Sequence, residues 1–124
     1  MEAMNSREHT IDTYLAAYGE QEPTTRRRQI SECFAADAVL ADPPAAAAGH
    51  DELDALFAAV QQQFPEHKFV RTSALDEHHD IARYTWALNA PDGTTAVAGM
   101  DIAQFVSDGT IASVTGFFGD IGSL

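Results

Sequence analysis

Apolar residues recur at helical spacing through the first half of the chain. The first apolar stripe is made of Ile11, Tyr14, Leu15 and Tyr18. Ser6 is a good N-cap residue and Gly19 is a helix stop signal. The pattern therefore predicts a first helix from about Ser6 to Tyr18 with one buried face.

Two further helices are predicted before the middle of the chain. The second is capped by Thr24 or Thr25 and ends near Asp37, and the third opens at Asp51 and ends before Pro65. The third helix has the most regular apolar stripe of the sequence. The inward-facing residues of these two helices are Ile30, Cys33 and Phe34, followed by Leu53, Leu56, Phe57, Val60 and Phe64.

The hydrophobic period changes to two in the second half of the chain. A short strand over 38–42 is ended by Pro43 and Pro44, and four more strands are predicted at 69–75, 81–89, 94–106 and 110–118. Turn signals at 91–93 and 107–109 connect the last three strands as a meander. Gly99 lies in the middle of the longest strand and predicts a bulge or a sharp bend there.

Helices followed by strands, without repeats or linkers, indicate an α+β domain rather than parallel βαβ units. We expect a single domain over residues 1–124. Its strongly curved, cone-shaped antiparallel sheet would carry the three helices on the concave face, around a pocket for a small apolar molecule.

Composition narrows the partners and the compartment. Nineteen acidic residues against seven basic ones give a formal charge of −12, which disfavours nucleic acids and anionic membrane surfaces. The basic run 26–28 is expected to be a solvated helix face. Cys33 is the only cysteine and excludes an intrachain disulfide. With no secretory signal and no apolar run long enough for a membrane span, we expect a cytoplasmic protein.

Neither a metal nor a cofactor is expected. The five histidines show no ligand spacing, and His78 and His79 are expected to point to opposite faces of a strand end. On the strand 81–89, Arg83 occupies one face and Trp86 the other, so that one of them enters the pocket. The larger apolar set, which includes Tyr84 and Leu88, favours Trp86 as the pocket wall.

A set of residues along the chain resembles the SnoaL-like and ketosteroid-isomerase-like proteins of the nuclear transport factor two-like superfamily. The resemblance extends from about Ile11 to Phe118. Its motifs are Phe34-Ala35-Ala36-Asp37-Ala38, Asp42-Pro43, Gly49, Gly99-Met100-Asp101, Phe105, Asp108-Gly109, Ile111, Val114 and Phe117-Phe118.

The resemblance implies a role for three residues. Asp42 matches the family's general base, and Asp101 matches the carboxylic acid of its oxyanion hole. Tyr14 is the best match to the oxyanion-hole tyrosine, with Tyr18 one turn later as the alternative. Apolar neighbours on the same strand face suit a protonated Asp101, whereas burial of the opposite face would leave Asp101 at a wet surface.

Together these observations predict an enzyme that uses acid–base catalysis on a small hydrophobic carbonyl compound, of isomerase, polyketide-cyclase or lyase type. The alternatives are a non-catalytic ligand-binding domain and a dimeric structural module. A homodimer is expected because the second sheet face, with Met100 and Ile102, needs cover. The predicted ligand-binding residues are Tyr18, Phe34, Phe57, Trp86, Phe105 and Phe118.

Overall fold

Three helices pack against one curved sheet of seven strands in the computed structural model, which describes residues 6–124. The helices are α1 (Ser6–Tyr18), α2 (Pro23–Cys33) and α3 (Gly49–Gln63). The strands are β1 (Phe34–Asp42), β2 (Ala45–Ala48), β3 (Lys68–Arg71), β4 (Asp76–His78), β5 (Ile81–Asn89), β6 (Thr95–Phe105) and β7 (Ile111–Phe118). The predicted α+β class is confirmed.

The strands follow the order β2-β1-β7-β6-β5-β3, and β4 pairs with β5 beside this path. Neighbouring strands are antiparallel except β1 and β7, which are parallel. The predicted antiparallel sheet therefore has one exception, the parallel pair of β1 and β7. A parallel pair needs a long connection, which the chain between Asp42 and Ile111 provides.

The helix boundaries differ from the predicted ones at two places. Helix α2 begins at Pro23, and its N-cap is Glu22, whose carboxylate accepts hydrogen bonds from the backbone N–H of Thr25 at 2.8 Å and of Thr24 at 3.2 Å. The two threonines predicted as caps thus lie inside the first turn, behind a proline that suits its first position. The helix ends at Cys33 rather than near Asp37 because Phe34 already pairs with β7.

Helix α3 begins at Gly49, two residues before the predicted start, and Asp51 lies in its first turn. The four-alanine strand β2 was not predicted, because identical small residues show no alternation. Strand β4 was also missed, and the predicted strand 69–75 is limited to Lys68–Arg71. The meander of β5, β6 and β7 is confirmed.

The core lies between the helices and the sheet. Two expectations about side chains, one on α2 and one at the end of β4, are wrong. Arg26, expected in solvent, is buried, and its Nε donates to Asp54 on α3 at 2.7 Å. His78 and His79 do not point apart, because a left-handed backbone at His79 (φ 54°) brings their Nδ1 atoms within 3.0 Å. None of the helices within residues 6–124 has the length and apolar character needed to cross a membrane.

Candidate functional site

A cavity of about 230 Å³ lies between the helices and the sheet. Most of its wall is aromatic or aliphatic, and two carboxyl groups, Asp42 and Asp101, also reach it. Its lining residues are Tyr14, Leu15, Tyr18, Asp42, Pro44, Ala45, Leu56, Val60, Gln63, Phe64, Phe69, Trp86, Leu88, Val97, Asp101 and Phe118.

Three adjacent strands bring the two carboxyl groups together. Asp101 on β6 pairs with Gly116 on β7, and the register of β7 with β1 places Asp42 beside the same glycine. A Cβ atom on Gly116 would lie 3.0 Å from Oδ1 of Asp101 and 3.2 Å from Cβ of Asp42. The absence of a side chain at Gly116 therefore lets both aspartates lean over the middle strand.

Two donors on β5 hold the Asp101 carboxyl group. Tyr84 lies directly across the ladder from Asp101, and its hydroxyl donates to Oδ2 at 2.9 Å. Trp86 lies across from Gly99, and its Nε1–H reaches diagonally to Oδ1 at 2.9 Å. A Cβ atom on Gly99 would lie only 2.6 Å from Cζ2 of that indole. The register shows no bulge at Gly99, so that part of the prediction is wrong, and the missing side chain makes room for the indole.

Burial has the largest effect on the pKa of Asp101. Its side chain is only 3% exposed, and desolvation raises the pKa of Asp101 to about 6. Hydrogen bonds from Tyr84, Trp86 and Tyr14 act in the opposite direction by stabilising the carboxylate, while the charge of Asp42 raises the pKa further. Asp101 is therefore mostly ionised at pH 7 but can take up a proton just below neutrality.

Asp42 forms a second, less buried site at the same cavity. The Tyr18 hydroxyl donates to its Oδ2 at 3.3 Å, and the backbone N–H of Ala45 donates to its Oδ1 at 3.1 Å. Partial burial raises the pKa of Asp42. Burial also raises the pKa of Tyr18 and of Tyr14, so both phenols remain neutral O–H donors.

The structure brings most of the sequence-predicted site residues to one cavity. The residues in question are Asp101, Asp42, Tyr14, Tyr18, Trp86 and Phe118. The sequence left open whether Tyr14 or Tyr18 faces the cavity, and whether Arg83 or Trp86 does. Tyr14 and Tyr18 both line the cavity, whereas Arg83 lies on the other sheet face and pairs with Asp76 at 2.7 Å.

Three phenylalanines predicted as ligand-binding do not line the cavity. Phe57 lies behind Tyr18, with ring centroids 4.2 Å apart, and Phe34 packs edge-on to Tyr14 at 5.3 Å. Phe105 lies under the guanidinium of Arg7, whose Cζ is 4.7 Å from the centroid of the Phe105 ring. The three side chains belong to the core because other side chains stand between them and the cavity, or because they lie at the far end of the sheet.

Two further residues at the site were missed by the sequence analysis. The turn signal at 91–93 predicted that β5 and β6 pair, but the register that places Tyr84 opposite Asp101 could not be read from it. Gly116 carried no signal at all.

Among residues 6–124, no three side chains of His, Cys, Asp or Glu lie close enough together to hold a metal ion.

Comparison with known proteins assigns this architecture to a family. The model of the SnoaL-like domain matches residues 11–114. The chain belongs to the SnoaL-like family. A candidate isomerase of the same family, from Agrobacterium tumefaciens, is 30% identical, with a TM-score of 0.87 over 94% of this chain and 100% of that one. The family resemblance of the sequence is thereby confirmed.

More distant structures share the fold with this SnoaL-like protein. A candidate SnoaL-like polyketide cyclase from a Jannaschia species is 15% identical, with a TM-score of 0.67 over 95% of this chain and 90% of that one. A protein of ketosteroid-isomerase-like fold from Catenulispora acidiphila, in complex with trimethylamine, is 16% identical, with a TM-score of 0.69 over 86% and 82%. No curated protein matches the chain by sequence.

Proposed function

We propose that this SnoaL-like protein is an enzyme that moves a proton on a small hydrophobic carbonyl compound, as an isomerase, cyclase or lyase. The observation that carries the proposal is the placement of Asp101, a buried carboxyl group at the wall of a largely apolar cavity. A group that accepts and returns a proton works best when its pKa lies near the working pH. The pKa of Asp101, raised to about 6, meets this condition.

The donors around Asp101 favour its ionised form as the resting base. The indole N–H of Trp86 can only donate, so Oδ1 must accept, and a proton on Asp101 would sit on Oδ2. The Tyr84 hydroxyl would then have to turn from donor to acceptor. We therefore propose that Asp101 takes the substrate proton as a carboxylate and returns it as an acid. The resemblance implies a permanently protonated Asp101, and our proposal differs at this point.

The remaining polar groups supply the other half of the chemistry. Removal of a proton next to a carbonyl group places negative charge on the carbonyl oxygen, and a neutral O–H donor stabilises that charge. Tyr14 can supply this donor once Asp101 has taken up the substrate proton, because its one O–H, which donates to the Asp101 carboxylate beforehand, is kept protonated by burial. Asp42, held by Tyr18, is the second carboxyl group of the acid–base pair.

Cavity size limits the substrate. An engineered apolar cavity of about 150 Å³ is known to accept one benzene molecule. The cavity of about 230 Å³ therefore suits a compound of one or two rings.

Proton transfer can be tested without knowledge of the natural substrate. Indanone and tetralone are incubated with the protein in D₂O, and loss of the α-proton signals is followed by NMR. We expect exchange faster than in buffer, and a loss of at least about tenfold in Asp101→Asn, or about 1.4 kcal/mol of transition-state stabilisation.

The matched control is Asp37→Asn, which removes an exposed carboxyl group from β1 by the same substitution. It should exchange like the wild type. Binding of the ketones without accelerated exchange would contradict the proposal and favour a non-catalytic binding domain.

A further inference from the structure

The cavity contains two carboxyl groups and no basic partner. Asp42 and Asp101 both line it, and none of its lining residues is Lys, Arg or His. Oδ1 of Asp101 and Cβ of Asp42 both lie next to Gly116, and the charge on Asp42 acts on Asp101. Neutral hydroxyl and N–H groups hold both carboxylates, but nothing on the wall compensates their charge.

The basic side chains of the protein are engaged or exposed elsewhere. All seven lie within the described residues 6–124, and five form ion pairs with carboxylates outside the cavity: Arg7, Arg26, Arg27, Arg71 and Arg83. The other two, Arg28 and Lys68, are exposed. Within residues 6–124, no Lys, Arg or His side chain lines the cavity to supply a positive charge next to Asp42 and Asp101, and a bound ligand can supply one.

The rest of the wall suits an organic cation. Tyr18, Phe69, Trp86 and Phe118 form a continuous row of ring contacts, with successive centroids 4.4, 5.6 and 5.6 Å apart. An ammonium group within about 6 Å of an aromatic face is attracted by the ring quadrupole, most strongly by tryptophan. The formal charge of −12 on the chain would also draw cations toward the cavity.

We propose that the cavity binds a small organic cation, a protonated or quaternary amine, with its charged group between Asp42 and Asp101 and its apolar part against the aromatic row. The inference rests on the proposed function and deepens it, because it adds a positive charge to the carbonyl compound on which Asp101 acts. The cation balances two neighbouring carboxylates that the fold itself leaves unpaired.

A matched pair of probes isolates the effect of charge. Benzyltrimethylammonium and neopentylbenzene have the same shape and differ by a positively charged nitrogen in place of a carbon. Trp86 is the only tryptophan and lines the cavity, so its fluorescence reports binding of either compound. At pH 8 we expect the cation to bind at least about tenfold more tightly than its neutral counterpart, a difference of about 1.4 kcal/mol.

Two further measurements connect this preference with the carboxyl groups. Asp42→Asn should reduce the preference for the cation at least fivefold, whereas the exposed control Asp37→Asn should leave it unchanged. Lowering the pH from 8 to 5 in the wild type should reduce the preference as Asp101 takes up a proton. The titratable groups that face Asp101 are Tyr14 and Tyr18 from α1, Asp42 from β1 and Tyr84 from β5. Burial raises the pKa of Asp42, and it raises the pKa of each of the three phenols further above this pH range.

Three outcomes would overturn the inference. They are equal or tighter binding of neopentylbenzene, no saturable binding of the cation, and a preference that neither Asp42→Asn nor low pH reduces. The ketone exchange assay separates this inference from the proposed function. Exchange without a preference for the cation rejects the inference alone, and a preference for the cation without exchange rejects the proton-transfer function alone.

Discussion

Trp86 and Gly99 face each other across β5 and β6, and the indole ring occupies the space that a side chain at position 99 would need. This contact lets a residue two positions away from Asp101 in the ladder donate to its carboxyl group. Gly99 thus affects the hydrogen bonding of Asp101 indirectly, because it leaves room for the Trp86 indole that donates to the Asp101 carboxyl group.

Gly99→Ala should therefore destabilise the fold and disturb the site together. The new methyl group would overlap the backbone oxygen of Phe117 and lie 2.6 Å from Cζ2 of Trp86. Overpacking of this kind costs about 1 to 3 kcal/mol. Urea unfolding followed by tryptophan fluorescence measures the loss, with Gly122→Ala as control because nothing lies within 4 Å of its position. Equal stability of the two variants would contradict the close contact of Trp86 with Gly99.

Phe57→Ala should cost about 3 to 5 kcal/mol of unfolding free energy, because truncation of a large buried side chain leaves a void. Phe57 is fully buried on α3 and stacks on Tyr18. Since it supports the cavity wall from behind, the variant should also weaken ligand binding. The unfolding free energy is measured in urea, and a loss below about 1 kcal/mol would place Phe57 outside the core.

The sequence predicted those elements whose local signals agree. The sequence of helix α1 has a capping signal, a clear apolar stripe and a glycine stop, and its predicted bounds match the observed Ser6–Tyr18. Strand β1 begins earlier than predicted because Phe34 pairs with Ile111, a partner 77 positions later in the chain. Such pairing is decided by tertiary contacts, which no local pattern contains.

The site was predictable to the level of strand faces. Alternation put Asp101 on the same face of β6 as Ala103 and Phe105 and left open whether that face is buried, and the larger apolar set favoured Trp86 as the inward residue of β5. Periodicity cannot distinguish a residue that lines a cavity from one packed behind its wall, which is why Phe57, on the apolar stripe of α3, was predicted to bind the ligand. The hydrogen bond from Tyr84 to Asp101 depends on the register of β5 and β6, and the composition of the connecting loop does not determine that register.

Around Phe117, the sheet face opposite the helices is apolar and poor in charge, whereas the Arg83–Asp76 pair lies further along the same face. Phe117 is 54% exposed there and pairs with the half-buried Met100, while Ile102 lies two residues further along β6. The shallow groove around these residues has one charged side chain in its lining, Asp120. In a chain of formal charge −12, this face is one on which a second copy can dock without strong repulsion.

We therefore expect a two-fold homodimer formed through this face. Sedimentation equilibrium at micromolar concentration should give twice the monomer mass, and Phe117→Glu should shift the protein toward the monomer by placing charge in the interface. Val106→Glu is the control, since Val106 is an exposed apolar residue that follows the end of β6 and lies outside the groove. A monomer mass for the wild type would reject the dimer.

Asp101 should make the stability of the protein depend on pH in a defined direction. Its pKa is about 6 in the folded state and about 3.9 in an unfolded chain. Between these values the folded state holds a proton that the unfolded state has released. The stabilisation linked to this proton is complete below pH 4 and is lost as the pH rises to about 6. Over the whole interval the loss is about 3 kcal/mol, at about 1.4 kcal/mol for each pH unit.

Asp101→Asn should remove this dependence while it preserves the hydrogen bonds. The asparagine oxygen can accept from Trp86, and its amide can donate to Tyr84, as a protonated Asp101 would. Urea unfolding at pH 4, 5, 6 and 7 should therefore show a flatter stability profile in the variant, with the greatest relative gain at pH 7. Asp37→Asn, which changes an exposed carboxyl group, should follow the wild-type profile. If NMR of the Asp101 carboxyl carbon gave a midpoint at or below about 4, the carboxyl group would not be desolvated, and its role as a proton-transfer group near neutral pH would be wrong.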